Sequence, residues 1–225
     1  MSAKIYIVRH CEAAGNKERF FQGRQDGGVS ELGKIQLSYL AERFRDIHID
    51  AIYSSPLCRA RMTAEAVNKY HGLPIISDDR LMEIDGGEWE GKRWADLPDL
   101  YPREAEDWIK APHLFRAPGG EPMTEVRERM TAAITGIASE NEGKTAVACS
   151  HGCAIRCLES WLRGWPIERL REVEWSDNTS VLLLEMTGGQ PRVLFRNDIS
   201  HLPEQYSTFA SQLWWKNKDE MNFDQ

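Results

Sequence analysis

Short apolar runs rich in β-branched residues alternate along this chain with stretches of helical periodicity. The first run, Lys-Ile-Tyr-Ile-Val-Arg at residues 4–9, predicts a buried strand. Ser30 then predicts a helix N-cap, because an apolar stripe with helical spacing follows it, formed by Leu32, Ile35, Leu37, Leu40, Ala41 and Phe44. Strands that alternate with helices build a mostly parallel sheet covered on both faces, so the sequence predicts an α/β fold.

The rest of the chain continues this alternation. It predicts strands at residues 50–54, 144–149, 171–175, 180–186 and 192–196, and helices from Pro56 to about Tyr70, at 124–139 and at 152–163. Residues 92–118 contain four prolines and are expected to form an insertion that serves as a lid. The aromatic-rich extension 203–225 is expected to pack on the body as a helix over residues 206–215. At 225 residues, we expect one domain spanning 1–225.

Composition excludes several classes of protein. The net charge of −7 argues against non-specific nucleic-acid binding, which needs clustered Lys and Arg. Uncharged stretches reach about eleven residues, too short for the roughly 20 that a transmembrane helix needs. The apolar run before Arg9 is only four residues long, so we expect no signal peptide. The five cysteines contain no CxxC pair and are read as reduced thiols of a cytoplasmic protein, without a metal site.

Polar residues follow three of the predicted strands where each one ends. They are Arg9-His10, Ser54-Ser55 and Ser150-His151-Gly152. In mostly parallel sheets, ligands bind beyond the carboxyl ends of the strands, so we expect these residues to meet at one edge. Arginine forks such as Arg9 and Arg59 match phosphate oxygens, and a helix that begins at Gly152 offers N–H groups to an anion. Either His10 or His151 could attack phosphorus without a metal or cofactor.

Four segments together resemble the histidine phosphatase superfamily, also called phosphoglycerate mutase-like. They are residues 8–12 (VRHCE), 54–60 (SSPLCRA), 81–91 (LMEIDGGEWEG) and 150–152 (SHG), in the order of that family. The resemblance implies an α/β/α sandwich and a phosphohistidine intermediate on His10. It implies a phosphate pocket of Arg9, Arg59 and His151, with Glu83 as proton donor. It further implies substrate contacts from Asn16, Gln22, Gly23 and Gly152. Cys11 stands where the family usually has Gly.

The resemblance leaves the reaction open between two enzymes, with a non-catalytic phosphate-binding module as a third reading. A 2,3-bisphosphoglycerate-dependent phosphoglycerate mutase needs extra cationic groups, but residues 92–118 hold five basic and five acidic residues and lack the paired-arginine segment of mutases. An apolar wall for the leaving group is expected from Trp89, Trp94, Trp108 and Leu114. We therefore favour a metal-independent phosphomonoester hydrolase. Its expected partner is a small phosphate ester, with no nucleic acid or membrane, and it would act as a monomer or homodimer.

Overall fold

The computed structural model describes residues 1–211. Its strands are β1 (Ser2–Arg9), β2 (Ala51–Ser54), β3 (Ile75–Ser77), β4 (Thr145–Ser150), β5 (Val181–Thr187) and β6 (Gln190–Asp198). Its α-helices are α1 (Ala14–Glu18), α2 (Glu31–Phe44), α3 (Cys58–Asn68), α4 (Leu97–Leu100), α5 (Pro102–Lys110), α6 (Met123–Glu140), α7 (Gly152–Leu162) and α8 (Thr208–Ser211). None of the helices within residues 1–211 is long and apolar enough to cross a membrane.

The strands form one six-stranded sheet in the order β3-β2-β4-β1-β5-β6. The pairs β3-β2, β2-β4 and β4-β1 are parallel, whereas β5 runs antiparallel to β1 and to β6. The register places Arg9 beside Ser150 and Ser54 beside Cys149. The carboxyl ends of β1, β4 and β2 therefore lie next to one another, which confirms the expected mostly parallel sheet.

Side chains that alternate along the strands pack into two separate hydrophobic cores, one on each face of the sheet. Val8, Ile52 and Val147 pack with Leu40 and Phe44 of α2 on one face. The other face carries strand, α6 and α7 side chains, including Ile5, Ile7, Ala146, Ala148, Val126, Met130, Ile134 and Leu158. The sheet is thus the middle of three layers. Helix α2 begins as expected, because the Ser30 hydroxyl accepts the Gly33 N–H at 3.0 Å.

The strand predicted at residues 171–175 is wrong. A 3-10 helix, Ile167–Glu172, occupies its first two residues and irregular chain follows. The guanidinium of Arg156 on α7 binds the carbonyls of Val173 (2.9 Å) and Leu170 (3.0 Å). These backbone groups thus pair with a buried side chain instead of a neighbouring strand, and apolar alternation alone could not reveal that. The sequence reading also missed β3, an edge strand of three residues.

Residues 92–118 fold into short helical pieces. They include a 3-10 turn at Trp94–Asp96, then α4, α5 and a second 3-10 turn at Pro112–Leu114. The C-terminal extension begins with a 3-10 turn, Glu204–Tyr206, followed by α8. The predicted helix over 206–215 is interrupted at Ser207 within the described part, and its last four residues lie outside the described residues.

Candidate active site

The strand register brings the two histidines together. His10 directly follows β1 and its N–H donates to the Ser150 carbonyl at 2.9 Å, while His151 directly follows β4. The centroids of the two imidazole rings are 5.0 Å apart, and both residues are almost fully buried. The neighbouring end of β2 contributes Ser55, and Arg59 follows in the first turn of α3.

His10 is held as a neutral imidazole. Its Nδ1 lies 2.6 Å from the Cys11 carbonyl oxygen, which can only accept, so Nδ1 carries the hydrogen and Nε2 keeps a free lone pair. Burial, followed by the positive charges of Arg59 and Arg9, lowers the pKa of His10 well below its ordinary value of 6.5. The ring therefore presents an unprotonated nitrogen at neutral pH, as a nucleophile requires.

Arg59 connects His151 to the Gly-rich loop before α2, which comprises residues 10–30. Its Nε donates to His151 Nδ1 at 3.2 Å, while Nη1 and Nη2 donate to the carbonyls of Gln25 (2.9 Å) and Gly23 (2.7 Å). Because His151 Nδ1 accepts, its Nε2 carries the hydrogen and donates to Ser55 Oγ at 2.8 Å. Burial, with Arg59 next, lowers the pKa of His151 well below 6.5. His151 is thus a neutral hydrogen-bonding residue in this arrangement.

Arg9 lies against the start of α7. Its Nη1 donates to the Ser176 carbonyl. A Cβ added to Gly152 would approach Arg9 Nε to 3.3 Å and Arg9 Cζ to 3.4 Å. Glycine at the first position of α7 therefore leaves room for the guanidinium beside the helix N-terminus, where a second positive charge adds to that of Arg59.

The carboxylate of Glu83 occupies part of the α7 N-terminus. Its Oε2 accepts from the Cys153 N–H at 3.2 Å, and Oε1 accepts from Ala154 (3.0 Å) and Ile84 (3.0 Å). The sequence reading reserved the N–H groups of this helix for a substrate anion, but the structure directs two of them to Glu83. Helix N-termini favour negative charge, so the fold itself places this carboxyl group at the start of the helix that follows His151.

The Gly-rich loop supplies three of the predicted substrate-binding residues. Asn16 caps α1 by accepting the Ala13 N–H at 3.0 Å. Gln22 has a buried Oε1 without a hydrogen-bond partner among the described residues. Gly23 has a φ of +51°, and a Cβ there would lie 2.2 Å from Glu90 Oε1. Gly23 is therefore required both by backbone conformation and by space.

These side chains open onto one cavity of about 680 Å³, including its mouth. Eight of the nine predicted site residues line it, namely Arg9, His10, Asn16, Gln22, Gly23, Arg59, Glu83 and Gly152. His151 is the ninth, and it lies behind Arg59 with no exposed surface.

Aromatic rings form the far wall of this cavity. Trp94 and Trp108, both predicted, line it with centroids 5.5 Å apart, and the Trp175 ring lies 5.9 Å from that of Trp108, tilted by 31°. The prediction that Trp89 and Leu114 belong to this wall is wrong. Trp89 is fully buried in the core, and Leu114 is 63% exposed at the surface. Sequence reasoning missed the lining residues Phe20, Phe21, Ile84, Cys153 and Trp175. Only Phe20 and Phe21 carried a signal, since they precede Gln22 in the Gly-rich loop.

Cys11 fits beside His10 without backbone strain. Its φ lies outside the left-handed region, and its N–H donates to Thr63 Oγ1 at 3.0 Å. Burial raises the pKa of its thiol to about 12. The thiol that replaces the usual glycine is therefore an inert packing group at neutral pH.

Comparison with known proteins supports the geometry. The profile of the histidine phosphatase superfamily (branch 1) matches residues 5–199. Phosphoserine phosphatase 1 of Hydrogenobacter thermophilus is 32% identical over 206 residues, covering 90% of this chain and 96% of that protein. A probable phosphoglycerate mutase, GpmB of Salmonella choleraesuis, is 35% identical over 175 residues, covering 75% and 80%. The solved structure of Bacillus stearothermophilus YhfR superposes with a TM-score of 0.85 at 33% identity, covering 88% and 98%.

Proposed function

Because the chain belongs to the histidine phosphatase superfamily, we propose that it is a metal-independent phosphomonoester hydrolase that works through a phosphohistidine on His10. One observation carries the proposal. A neutral imidazole, with its Nε2 lone pair free and its Nδ1 fixed on a carbonyl, lines the same cavity as two guanidiniums. The relatives named as phosphatases support the same reaction class.

In the first step, His10 Nε2 attacks phosphorus. The N–P bond forms while the P–O bond to the alcohol breaks, and Arg9 and Arg59 stabilise the charge on the transferring phosphoryl oxygens. Glu83 donates its proton to the departing oxygen. Its Oε2 is suited to carry that proton, because it accepts a single 3.2 Å hydrogen bond whereas Oε1 accepts two at 3.0 Å.

In the second step, water attacks the phosphorus. The Glu83 carboxylate accepts a proton from that water, the N–P bond breaks, and inorganic phosphate leaves with the neutral imidazole restored. Acid and base roles thus fall to one residue in succession. No metal ion is needed for charge balance in this scheme. Within residues 1–211, no group of three His, Cys, Asp or Glu side chains is arranged to hold one.

The charge of the cavity lining favours hydrolysis over mutase activity. Arg9 and Arg59 are the only cationic side chains among the described residues that line it. A bisphosphoglycerate carries a carboxylate and a second phosphate that would need further positive charge, whereas the opposite wall here is aromatic. The unpaired Oε1 of Gln22 is placed to accept a hydrogen bond from a hydroxyl of the leaving group or of the phosphate. We propose that Asn16, Gln22, Gly23 and Gly152 contact the substrate.

We also propose a cytoplasmic enzyme, monomeric or homodimeric, with residues 92–118 as a lid of its single domain. All five cysteines are free thiols, which fits a reducing compartment.

The test is hydrolysis of p-nitrophenyl phosphate and of an alkyl phosphate by the wild-type protein and by His10→Ala. We expect the wild type to be active and inhibited by vanadate, which mimics the transferring phosphoryl group, and we expect His10→Ala to be inactive. Isomerisation of 3-phosphoglycerate, with and without 2,3-bisphosphoglycerate, is measured in parallel. Bisphosphoglycerate-dependent isomerisation faster than hydrolysis would assign the mutase reaction instead, and a wild type inactive in both assays would favour the non-catalytic module.

A further inference from the structure

The four backbone carbonyls of residues 80–83 each accept a hydrogen bond from a side chain of another element. Arg129 on α6 donates from Nη1 to the carbonyls of Arg80 (2.8 Å) and Met82 (2.6 Å), and from Nη2 to that of Glu83 (3.1 Å). The remaining carbonyl, that of Leu81, accepts from Ser150 Oγ at 2.7 Å. Ser150 directly precedes His151, so this segment is attached to the strand end that carries the histidine.

The other donors of Arg129 bind a carboxylate. Its Nε donates to Glu121 Oε1 at 2.6 Å and its Nη2 to Glu121 Oε2 at 3.0 Å. Glu121 in turn holds the chain after Glu83, because its Oε2 accepts the Asp85 N–H (3.3 Å) and its own N–H donates to the Asp85 carbonyl (2.9 Å). All five N–H groups of the guanidinium therefore donate hydrogen bonds. Arg129 and Glu121 together bind the backbone on both sides of Glu83.

We propose that Arg129 is a positioning residue for Glu83, acting through the backbone of residues 80–85 and never touching substrate. The inference rests on the proposed acid role of Glu83. Arg129 does not line the cavity, whereas Glu83 does. The Glu83 carboxylate is anchored on α7 and its backbone on α6. Two anchors on different helices fix the direction of Oε2, and proton donation is sensitive to displacements of about 1 Å, which can change rates by about 10²-fold.

Lysine cannot replace this arginine. An ammonium has three donors on a flexible stem, whereas the carbonyls and Glu121 need five donors in one plane. Arg129→Lys thus keeps the positive charge and loses at least two of the contacts. The matched control is Arg127→Lys on the same helix, because Arg127 donates to the Trp165 carbonyl (2.9 Å) and has no described contact with residues 80–85.

The experiment compares kcat/KM on an alkyl phosphate, whose leaving oxygen needs a proton, with kcat/KM on p-nitrophenyl phosphate, whose leaving group departs as the anion. We expect Arg129→Lys to lose about 10- to 100-fold more activity on the alkyl phosphate than on the aryl phosphate, and Arg127→Lys to change neither. A structural weakening alone would lower both rates equally. If Arg129→Lys does not fold, Glu121→Gln replaces it, with a smaller loss in the same direction expected.

The double variant Glu83→Gln/Arg129→Lys separates the two claims. If Arg129 acts through Glu83, the double variant has the same alkyl-to-aryl ratio as Glu83→Gln alone. A selective Glu83→Gln combined with equal losses in Arg129→Lys, or with additive losses in the double variant, would overturn the positioning role and leave the acid role standing. A Glu83→Gln variant without selectivity would overturn both.

Discussion

Replacing Glu83 by glutamine removes the proposed acid while keeping nearly the same shape. Positioned acids contribute about 10²- to 10⁴-fold in rate, which equals about 2.7–5.4 kcal/mol at 1.36 kcal/mol for each factor of ten. We expect this loss in kcat/KM on an alkyl phosphate, whose alkoxide is a very poor leaving group. On p-nitrophenyl phosphate we expect a much smaller loss, because p-nitrophenolate leaves without a proton.

The structure also predicts a separate effect on stability. The glutamine oxygen can keep the hydrogen bonds of Oε1 to Ala154 and Ile84, but its NH₂ group then faces the Cys153 N–H that Oε2 accepts at 3.2 Å. An unmatched donor of this kind costs about 1–3 kcal/mol in the free energy of unfolding. Each kcal/mol corresponds to about 2–4 °C in Tm for a domain of this size, so a lower Tm is expected for Glu83→Gln. This loss of stability does not distinguish the alkyl phosphate from the aryl phosphate.

The assay measures both substrates at 25 °C, with Tm recorded for each variant. Glu88→Gln is the control, because Glu88 accepts from the Tyr101 hydroxyl at 3.0 Å and does not line the cavity. Equal losses on both substrates in Glu83→Gln, with the protein folded, would refute the acid role. Asp85 would then be tried, although it does not line the cavity and already accepts from Arg24 and Gly87.

Three further outcomes are expected. Gly23→Ala should lower kcat/KM by about 10²-fold, since its Cβ would meet Glu90 at 2.2 Å. Gly72→Ala is the control and should change only stability, because Gly72 has a similar φ of +67° and a Cβ there would have nothing within 4 Å. Equal activity in both variants would contradict the packing argument. The pKa values of His10 and His151 are lowered in the folded protein, so below about pH 6.5 the unfolded chain binds more protons than the folded one. Tm should therefore be flat from pH 8 to 7 and fall from pH 6.5 to 5, and it should fall further in the wild type than in His10→Ala. An unchanged Tm would contradict the neutral state of the two histidines. Prolonged EDTA treatment should leave activity intact; a loss restored by Mg²⁺ would show that a metal is required.

The sequence was sufficient to predict which strand-end residues lie together at one edge of the sheet. Parallel strands bring their carboxyl ends to one edge, and this rule alone placed Arg9, His10 and His151 together. The register that makes them neighbours, with Arg9 beside Ser150, follows from β1 pairing with β4.

The parts that the sequence did not reveal depend on side chains that bind distant backbone. Arg129 reaches carbonyls 46 to 49 residues away, and Arg156 takes the carbonyls that a strand at 171–175 would have used. Periodicity records which residues share a face, but not which arginine will donate hydrogen bonds to the carbonyls of an irregular loop. For the same reason Trp175 could not be assigned to the cavity wall, while Trp94 and Trp108 could only be guessed from composition.

The most direct test of the account is to find the phosphate on the protein. The wild type is mixed rapidly with p-nitrophenyl phosphate, quenched in alkali, where phosphohistidine survives, and analysed by peptide mass spectrometry. The account predicts a phosphate on the peptide that contains His10, attached at Nε2, and none in His10→Ala. Steady turnover with His10 unmodified at every quench time, or with the phosphate on His151, would contradict it.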